Sequence, residues 1–280
     1  MFHVSGKKAF SVAPIAIIIA VVLLIFYLYF GGAAYSTINE ELPRETCRQS
    51  VVLHASTKTT ITDSPFPINC DTQFIDITEK GIFKNTDQVI TSESEMTQDT
   101  VNRAIANEMY DCWYQFLQGN QEVFYRSWSI KINDDWTTEC MICSEISISQ
   151  EAADKIGKRN SGDFIQWMKD TTIQQYTSGS GTSDMNYYDY LGRASPTPMT
   201  YEELVRAIDS KEKELNIPFL SLSLSVFNPV QFVPVPYPGD YAVVFKSLTP
   251  LRLTVGVEYL AAVHLIRKQD VGKLSCKNLY

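Results

Sequence analysis

The chain has 280 residues, of which 45% are hydrophobic and 20% are charged, and its net charge is −8. This composition is typical of a globular protein and excludes an intrinsically disordered one. The acidic balance argues against nucleic acid as a partner, because a negatively charged surface repels phosphate backbones.

A long apolar segment near the N-terminus predicts a membrane anchor. Residues 14–30 are PIAIIIAVVLLIFYLYF and contain no charged side chain, and a helix of roughly 20 such residues spans the hydrocarbon core of a bilayer. Proline suits the first helical turn, and aromatic rings suit the membrane interface. We therefore expect a cytoplasmic tail over residues 1–11 and a transmembrane signal-anchor helix over residues 12–33. The side chains expected to anchor it are Pro14, Leu23, Leu24, Tyr27, Tyr29 and Phe30.

Charged residues on either side of this segment predict its orientation in the membrane. Lys7 and Lys8 precede it, whereas Glu40, Glu41 and Glu45 follow it. The positive-inside rule then places the N-terminus in the cytoplasm and the remainder of the chain outside the membrane. The lipid bilayer is thus an expected partner, bound through a single helix.

Two alternatives to a retained anchor stay open. Gly32-Ala33-Ala34 could serve as a signal-peptide cleavage site, although the apolar run is longer than a typical signal core and ends in bulky aromatics. A pilin-like precursor, cut near Lys8, would instead pack its apolar helix into a filament. The acidic residue that many pilins carry early in that helix is absent here.

All the cysteines lie in the predicted extracytoplasmic part. They are Cys47, Cys70, Cys112, Cys140, Cys143 and Cys276. An even number confined to such a region indicates disulfide bonds and an oxidising compartment. Among the possible pairings we favour Cys47 with Cys70, and Cys112 with either Cys140 or Cys143.

The Cys140-Met-Ile-Cys143 motif has two sharper interpretations. A thioredoxin-like redox pair needs a helix that starts at the first cysteine, but the residues that follow, Ser-Glu-Ile-Ser-Ile-Ser, alternate as a strand does. A zinc knuckle needs a second ligand pair, and His54 and His264 stand alone. We favour a structural role for this motif, in which the two cysteines lie on opposite faces of a strand and form disulfide bonds with different partners.

After a polar stalk over residues 34–46, the extracytoplasmic domain is expected to span residues 47–280. Residues 51–62 are ambiguous between helix and strand. The QFIDIT segment, residues 73–78, alternates and predicts a short strand. Residues 85–98 are polar and predict an exposed loop.

The clearest helix spans residues 98–118, where apolar side chains recur at helical spacing. Thr97 can cap its start and Gly119 its end. Its apolar stripe is expected to face the core, with Cys112 on that stripe.

Residues 123–132 and 143–149 both alternate and predict a β-hairpin joined by a polar turn. Short helices are expected over residues 149–157 and 163–172. The loop that follows, residues 177–190, ends in a tyrosine cluster and is a candidate for a partner contact.

The C-terminal third continues the same mixture of elements. A capping box predicts a helix over residues 200–215, and strict alternation predicts a strand over residues 220–226. A proline-rich segment separates these from the last strands, over residues 241–248 and 251–266. The whole pattern predicts an α+β ectodomain with an antiparallel sheet, helices on one side and stabilising disulfides.

The sequence contains no catalytic or cofactor-binding motif, so no cofactor is expected. Asp134 and Asp135 could serve a hydrolase, and together with Glu139 they could form a weak calcium site. Any acidic domain offers such groups. His264 lies in an apolar run and is expected to be a buried core residue.

Three short motifs carry a resemblance to a known class of protein. Cys47-Arg-Gln-Ser-Val-Val, Asp111-Cys112-Trp113-Tyr114 and Cys140-Met-Ile-Cys143, together with the anchor and Cys276, resemble those of single-span, cysteine-bearing surface proteins of archaea. The resemblance implies an anchored, disulfide-stabilised ectodomain and no particular activity. We therefore expect a structural or interaction protein of the cell envelope that binds envelope proteins or itself, with a pilin-like subunit or an extracytoplasmic enzyme as alternatives.

Overall fold

The structure is a computed structural model in which the described elements, apart from the first two residues of the first helix, lie in the unit Glu45–Tyr280. The residues that it describes are 43–57, 64–86, 88–119, 121, 123–124, 138–157, 164–173, 185–194, 199–200, 238–248, 260–274, 276 and 278–279. The predicted anchor, the flanking Lys7 and Lys8 and most of the stalk lie outside these residues. Within the described part of the chain, no helix combines the length and the apolar character needed to cross a bilayer.

The described residues form five α-helices and nine strands. The helices are α1 (residues 43–57), α2 (Gln98–Gln115), α3 (Gln150–Lys155), α4 (Phe164–Asp170) and α5 (Tyr187–Leu191). The strands are β1 (Gln73–Thr78), β2 (Gly81–Lys84), β3 (Gln88–Ser92), β4 (Thr138–Ile148), β5 (Arg193–Ala194), β6 (Met199–Thr200), β7 (Gly239–Leu248), β8 (Leu260–Arg267) and β9 (Asn278–Leu279). Three 3₁₀ segments complete the set: Glu93–Glu95, Leu117–Gly119 and Lys268–Leu274.

One mixed sheet organises the fold. Six strands follow the order β3–β2–β1–β4–β7–β8, and the short β9 pairs with β4. The β1–β4 and β4–β9 pairs are parallel, whereas β1–β2, β2–β3, β4–β7 and β7–β8 are antiparallel. The α+β class is therefore confirmed, but the prediction of a wholly antiparallel sheet is wrong, because the chain returns to β4 through α2 and this crossover makes β1 and β4 parallel.

The sheet has two faces of unequal character. The helix face carries Ile75, Ile146, Val243 and Phe245, which pack with α2 in the large core cluster. The opposite face, here called the back face, carries a small cluster of Cys140, Ala242, Val244 and Ile266. The α-helices α2 and α3 contribute to the large cluster, as the prediction of helices on one side requires. The back-face cluster instead packs against Val271, Leu274 and Cys276 near the chain end.

Helix α2 begins where the sequence predicted. The Thr97 hydroxyl accepts a hydrogen bond from the Thr100 backbone N–H at 3.2 Å, and the Thr97 backbone N–H donates to the Thr100 hydroxyl at 2.9 Å. This reciprocal cap satisfies two otherwise unpaired donors. Val101, Ile105, Met109 and Trp113 are buried, so the apolar stripe faces the core as expected.

The turn between β1 and β2 depends on a glycine. Gly81 has φ of +139°, a conformation that L side chains rarely adopt. A Cβ at this position would also overlap the backbone carbonyl oxygen of Thr91 on β3. The absence of a side chain at Gly81 therefore permits both the turn and the close approach of β3.

Two of the predicted elements are wrong. Residues 88–92, expected to lie in a loop, form β3, and residues 93–95 form a 3₁₀ turn. The hairpin predicted between residues 123–132 and 143–149 is excluded, because both edges of Ser144–Ile148 are occupied by β1 and β7. Strands that are neighbours in the sequence commonly pair with each other. Here both edges of this segment are occupied by strands more distant in the sequence.

The other predictions divide between confirmed elements and residues outside the described ranges. The strands at 73–78 and 241–248 and the short helices α3 and α4 are confirmed. The ambiguous segment from residue 51 is helical as far as residue 57. Thr200, the predicted start of a helix, is the last residue of β6. The remainder of that predicted helix, the strand at 220–226 and most of the proline-rich segment lie outside the described residues.

Candidate interaction surface

All six cysteines form disulfide bonds, and none is free. Cys47–Cys70 joins α1 to the segment before β1, and Cys112–Cys143 joins α2 to β4. Cys140–Cys276 joins β4 to the chain end. The first two bridges are among the pairings favoured from the sequence.

The CxxC motif is divided between the two faces of β4. Cys143 bonds to Cys112 on the helix face, whereas Cys140 belongs to the back-face cluster and bonds to Cys276. Residues three apart in a strand point to opposite faces, and the bulge between Ile142 and Ser144 shifts the alternation only beyond Cys143. The two thiols therefore do not form a redox pair with each other.

A buried ion pair attaches α2 to the sheet. The Lys84 ammonium on β2 donates to a carboxylate oxygen of Glu108 on α2 at 2.8 Å, and the side chains are 22% and 6% exposed, respectively. Burial raises the pKa of Glu108, and the charge of Lys84 opposes that effect. Since Glu108 is the more deeply buried partner, it depends on Lys84 for compensation of its charge.

Helices α4 and α5 attach to α2 through aromatic side chains. The Trp167 indole N–H donates to Asp99 at 2.8 Å, and the Tyr187 hydroxyl donates to Asn107. Tyr190 stacks on Tyr110 with ring centroids 4.4 Å apart. Tyr187 and Tyr190 are both buried, and burial raises the pKa of Tyr187 to about 12. Tyr187 and Tyr190 are thus part of the core, whereas residues 177–184, most of the rest of the segment for which a partner contact was predicted, lie outside the described residues.

Two ionisable side chains are buried on the back face. Lys246 on β7 lies directly opposite Cys140 on β4, and His264 on β8 lies opposite Val244. Their exposed fractions are 0% and 2%. Burial lowers the pKa of Lys246 to about 8 and, together with the charge of Lys246, that of His264 to about 3. His264 is buried, as expected, and Lys246 was not anticipated.

The β1–β2–β3 half of the back face exposes apolar side chains. The register aligns Phe74 with Glu145 on β4, and Phe83 with Asp76 and Val89, so these side chains share the back face. Phe74, Val89 and Ile90 are 49%, 58% and 44% exposed. We define Phe74, Phe83 and Val89 as the β1–β3 patch. Exposed aromatic and aliphatic side chains in one patch are typical of a binding surface.

Strand β3 forms the edge of this patch. Its sequence is QVITS, with no charged residue and no proline. Within the described residues it pairs with β2 on one side only. Proteins commonly protect exposed edges with charges, prolines or bulges, because unpaired backbone groups recruit further strands. A bulge between Ile82 and Phe83 lies on β2, one strand inward from this edge.

A cleft of about 390 Å³ opens where β7 begins and β8 ends. Its charged side chains have internal roles: Lys268 donates to Glu145 at 2.6 Å, and Asp240 accepts from Ser147 at 2.9 Å. The Tyr241 hydroxyl lies close to Gly239, where a Cβ would come within 3.1 Å of it. This arrangement favours a structural role for the cleft.

The predicted metal and catalytic groups do not converge in the described part of the chain. No group of three or more histidine, cysteine or acidic side chains there could hold a metal ion. Glu139 is buried in β4, and Asp134 and Asp135 lie outside the described residues. The His54 ring hydrogen-bonds through Nδ1 to the Phe66 carbonyl at 2.6 Å, which links α1 to the segment before β1.

No family model, curated protein or solved structure matches this chain. The chemistry of its own surface is therefore the guide to its function. The exposed features that point to a partner are the β1–β3 patch and the neutral edge of β3, which meet at Val89 and Ile90.

Proposed function

We propose that this chain is a membrane-anchored, extracytoplasmic protein of the cell envelope, and that its domain binds other envelope proteins. The observation that carries the proposal is the neutral edge of β3, which among the described strands pairs with β2 alone, beside the exposed Phe74 and Val89. The three disulfides support an oxidising location, and the apolar segment over residues 12–33 supports an anchor.

The chemistry of the edge selects the kind of partner. The outward backbone N–H and C=O groups of residues 89–92, which pair with no other strand of the described part of the chain, are satisfied best by another extended strand. The alternate side chains of that strand would cover Val89 and, beyond it, Phe83. Since β3 is neutral while the whole chain carries −8, this edge is also a place where an acidic partner or a second copy meets little electrostatic repulsion.

Binding is tested on the full-length protein in native membranes. Val89→Lys places a charge in the patch, and Leu53→Lys on α1 is the matched control, because Leu53 is also an exposed apolar residue remote in sequence from the patch. We expect Val89→Lys to abolish co-purification of envelope partners, or self-association, and Leu53→Lys to leave it intact. A wild-type protein that stays monomeric and recovers no partner would contradict the proposal.

Location and orientation need a separate test. A membrane-impermeant amine reagent applied to intact cells is expected to label lysines of the domain, such as Lys273, and to spare Lys7 and Lys8. Labelling of all of them only after permeabilisation would refute the orientation. N-terminal sequencing of the mature protein distinguishes a retained anchor from a pilin-like subunit, which would lose its first residues up to about Lys8.

A further inference from the structure

The chain end forms a strap across the back face. This C-terminal strap comprises Lys268–Leu274, Cys276 and Asn278–Leu279. No residue of its 3₁₀ segment, Lys268–Leu274, is fully buried. Two partly buried side chains, Val271 and Leu274, pack on the back-face cluster, and β9 adds a two-residue pairing with β4. Cys140–Cys276 is the disulfide that ties the strap to β4.

The charge beside Cys140 distinguishes this bridge from the one on the helix face. Cross-strand neighbours on one face have Cβ atoms about 4.5–5.5 Å apart, so the register places the Lys246 side chain against Cys140. Cys112, by contrast, follows Glu108 by one helical turn on α2. A nearby cation stabilises a thiolate, whereas a nearby carboxylate destabilises it.

Exposure also differs between the two ends of the bridge. Cys140 is fully buried, and Cys276 is partly exposed on the strap. Since Cys276 is the more exposed residue of the bridge, its sulfur is the expected point of attack by a thiolate, and the Cys140 sulfur is the leaving group. A leaving thiol with a lowered pKa departs faster. Both Cys112 and Cys143 are buried, which protects that bridge from attack.

We propose that Cys140–Cys276 is a redox-sensitive bridge, opened by a dithiol reductant, whose opening releases the C-terminal strap. The reductant's thiolate bonds to the Cys276 sulfur, the disulfide bond breaks, and Cys140 leaves as a thiolate beside the Lys246 ammonium. The reductant's second thiol then attacks its own bound sulfur and expels Cys276 as a thiolate, which solvent protonates. The reductant ends as a disulfide and the protein as two thiols.

Release of the strap would enlarge the exposed part of the back face. Cys140, Val244 and Ile266 would lose the cover that Val271, Leu274 and Cys276 give them, and they lie on the same face as Phe74. The Lys268 ammonium on the strap bonds to Glu145, which is directly opposite Phe74, so the strap begins where the β1–β3 patch ends. Opening of the bridge does not depend on the proposed function, but its use in regulating a partner rests on it.

The pH dependence follows from the groups around Lys246. The titratable side chains that the described residues place on this face are Asp76, Glu145, Asp240, Lys246 and His264, with Lys268, Asp270 and Lys273 on the strap. His264 stays neutral at neutral pH because burial lowers its pKa to about 3. Burial lowers the pKa of Lys246 to about 8, so its charge beside Cys140 is lost as the pH rises through that value.

The test is graded reduction of the full-length protein with dithiothreitol at pH 7, followed by alkylation and peptide mass spectrometry. We expect Cys140 and Cys276 to be alkylated at least about tenfold faster than Cys112 and Cys143. Lys246→Met should slow opening of this bridge, whereas Lys246→Arg should preserve its rate. Lys155→Met, which removes a surface lysine remote from the strap, is the control. Melting curves of the unreduced variants confirm that each is folded.

Two further readouts separate the parts of the proposal. The rate difference between wild type and Lys246→Met should shrink above pH 8, and hydrogen exchange in peptides covering residues 268–279 should rise once the bridge is open. The Cys140–Cys276 bridge would have no special reactivity if Cys112–Cys143 opened first. The same would follow if the Cys140–Cys276 bridge opened as fast in Lys246→Met as in wild type at every pH. If exchange in the strap stayed unchanged after reduction, the strap would not be released.

Discussion

The buried Lys84–Glu108 pair gives the sharpest test of how α2 is held on the sheet. Lys84→Met leaves the Glu108 carboxylate buried without its cation, and breaking a buried pair in this way costs about 3–5 kcal/mol. Lys84 is itself 22% exposed, so water can reach part of the site and we expect a cost near the lower limit, about 3 kcal/mol. In a domain of this size that corresponds to a fall in Tm of about 6–12 °C.

The cost should depend on pH in a defined direction. Burial raises the pKa of Glu108 in the folded state, so its contribution to stability is present at low pH and is lost as the pH rises through the folded-state pKa. Loss of Lys84 removes the group that opposes this shift. Lys84→Met should therefore be strongly destabilised at pH 7 and close to wild type near pH 4, where Glu108 is protonated.

Urea unfolding at both pH values, with the disulfides intact, measures these differences. Glu108→Gln should cost only about 1 kcal/mol, because a neutral amide replaces the charge and Lys84 can turn toward solvent. Lys155→Met is a matched control: Lys155 bonds to Glu93 at the same 2.8 Å, but at the surface, and we expect no measurable change. Equal losses for Lys84→Met and Lys155→Met, or a loss for Lys84→Met that does not vary with pH, would refute the reasoning.

Three further variants test other parts of the fold by the same unfolding measurement. Thr97→Ala removes the cap of α2 and should cost about 1 kcal/mol, with Thr97→Ser restoring most of it. Gly81→Ala should cost more than about 1 kcal/mol, because the new methyl group meets the Thr91 carbonyl at a positive φ; an unchanged stability would contradict the geometry of this turn. Replacing both Cys112 and Cys143 by serine should cost about 3 kcal/mol, and the double variant should still bind a partner if the β1–β3 patch is the site.

Local patterns along the sequence predicted several elements correctly. The helical spacing of Val101, Ile105 and Met109 and the capping residue Thr97 located α2, since both signals lie within a few turns of one helix. The alternation of residues 73–78 located β1 in the same way. Strand β3 was missed because QVITS is short, polar at both ends and lacks clear alternation, as is common for an edge strand.

The candidate site was harder to predict from the sequence than the fold. Val89 and Ile90 are ordinary aliphatic residues, and their exposure becomes visible only when β3 is placed at the edge of the sheet. Lys246 carries a weak sequence signal, because the segment Tyr241–Phe245 is apolar on both faces, as in a strand covered on both sides, and a lysine continues it. The sequence does not show that Cys140 is the residue opposite Lys246.

The sequence by itself determined what depends on near neighbours: the apolar segment with its flanking charges, the even set of cysteines, the course of α2 and the two faces of β4. These follow from periodicity and charge over short distances. Only the tertiary structure decided which strands are adjacent, that β1 and β4 run parallel, and that Cys140 bonds to Cys276 beside Lys246. Such pairings join residues far apart in the sequence, 71 positions for Gln73 and Ser144 and 136 for Cys140 and Cys276, and their energies depend on packing that a linear pattern does not contain.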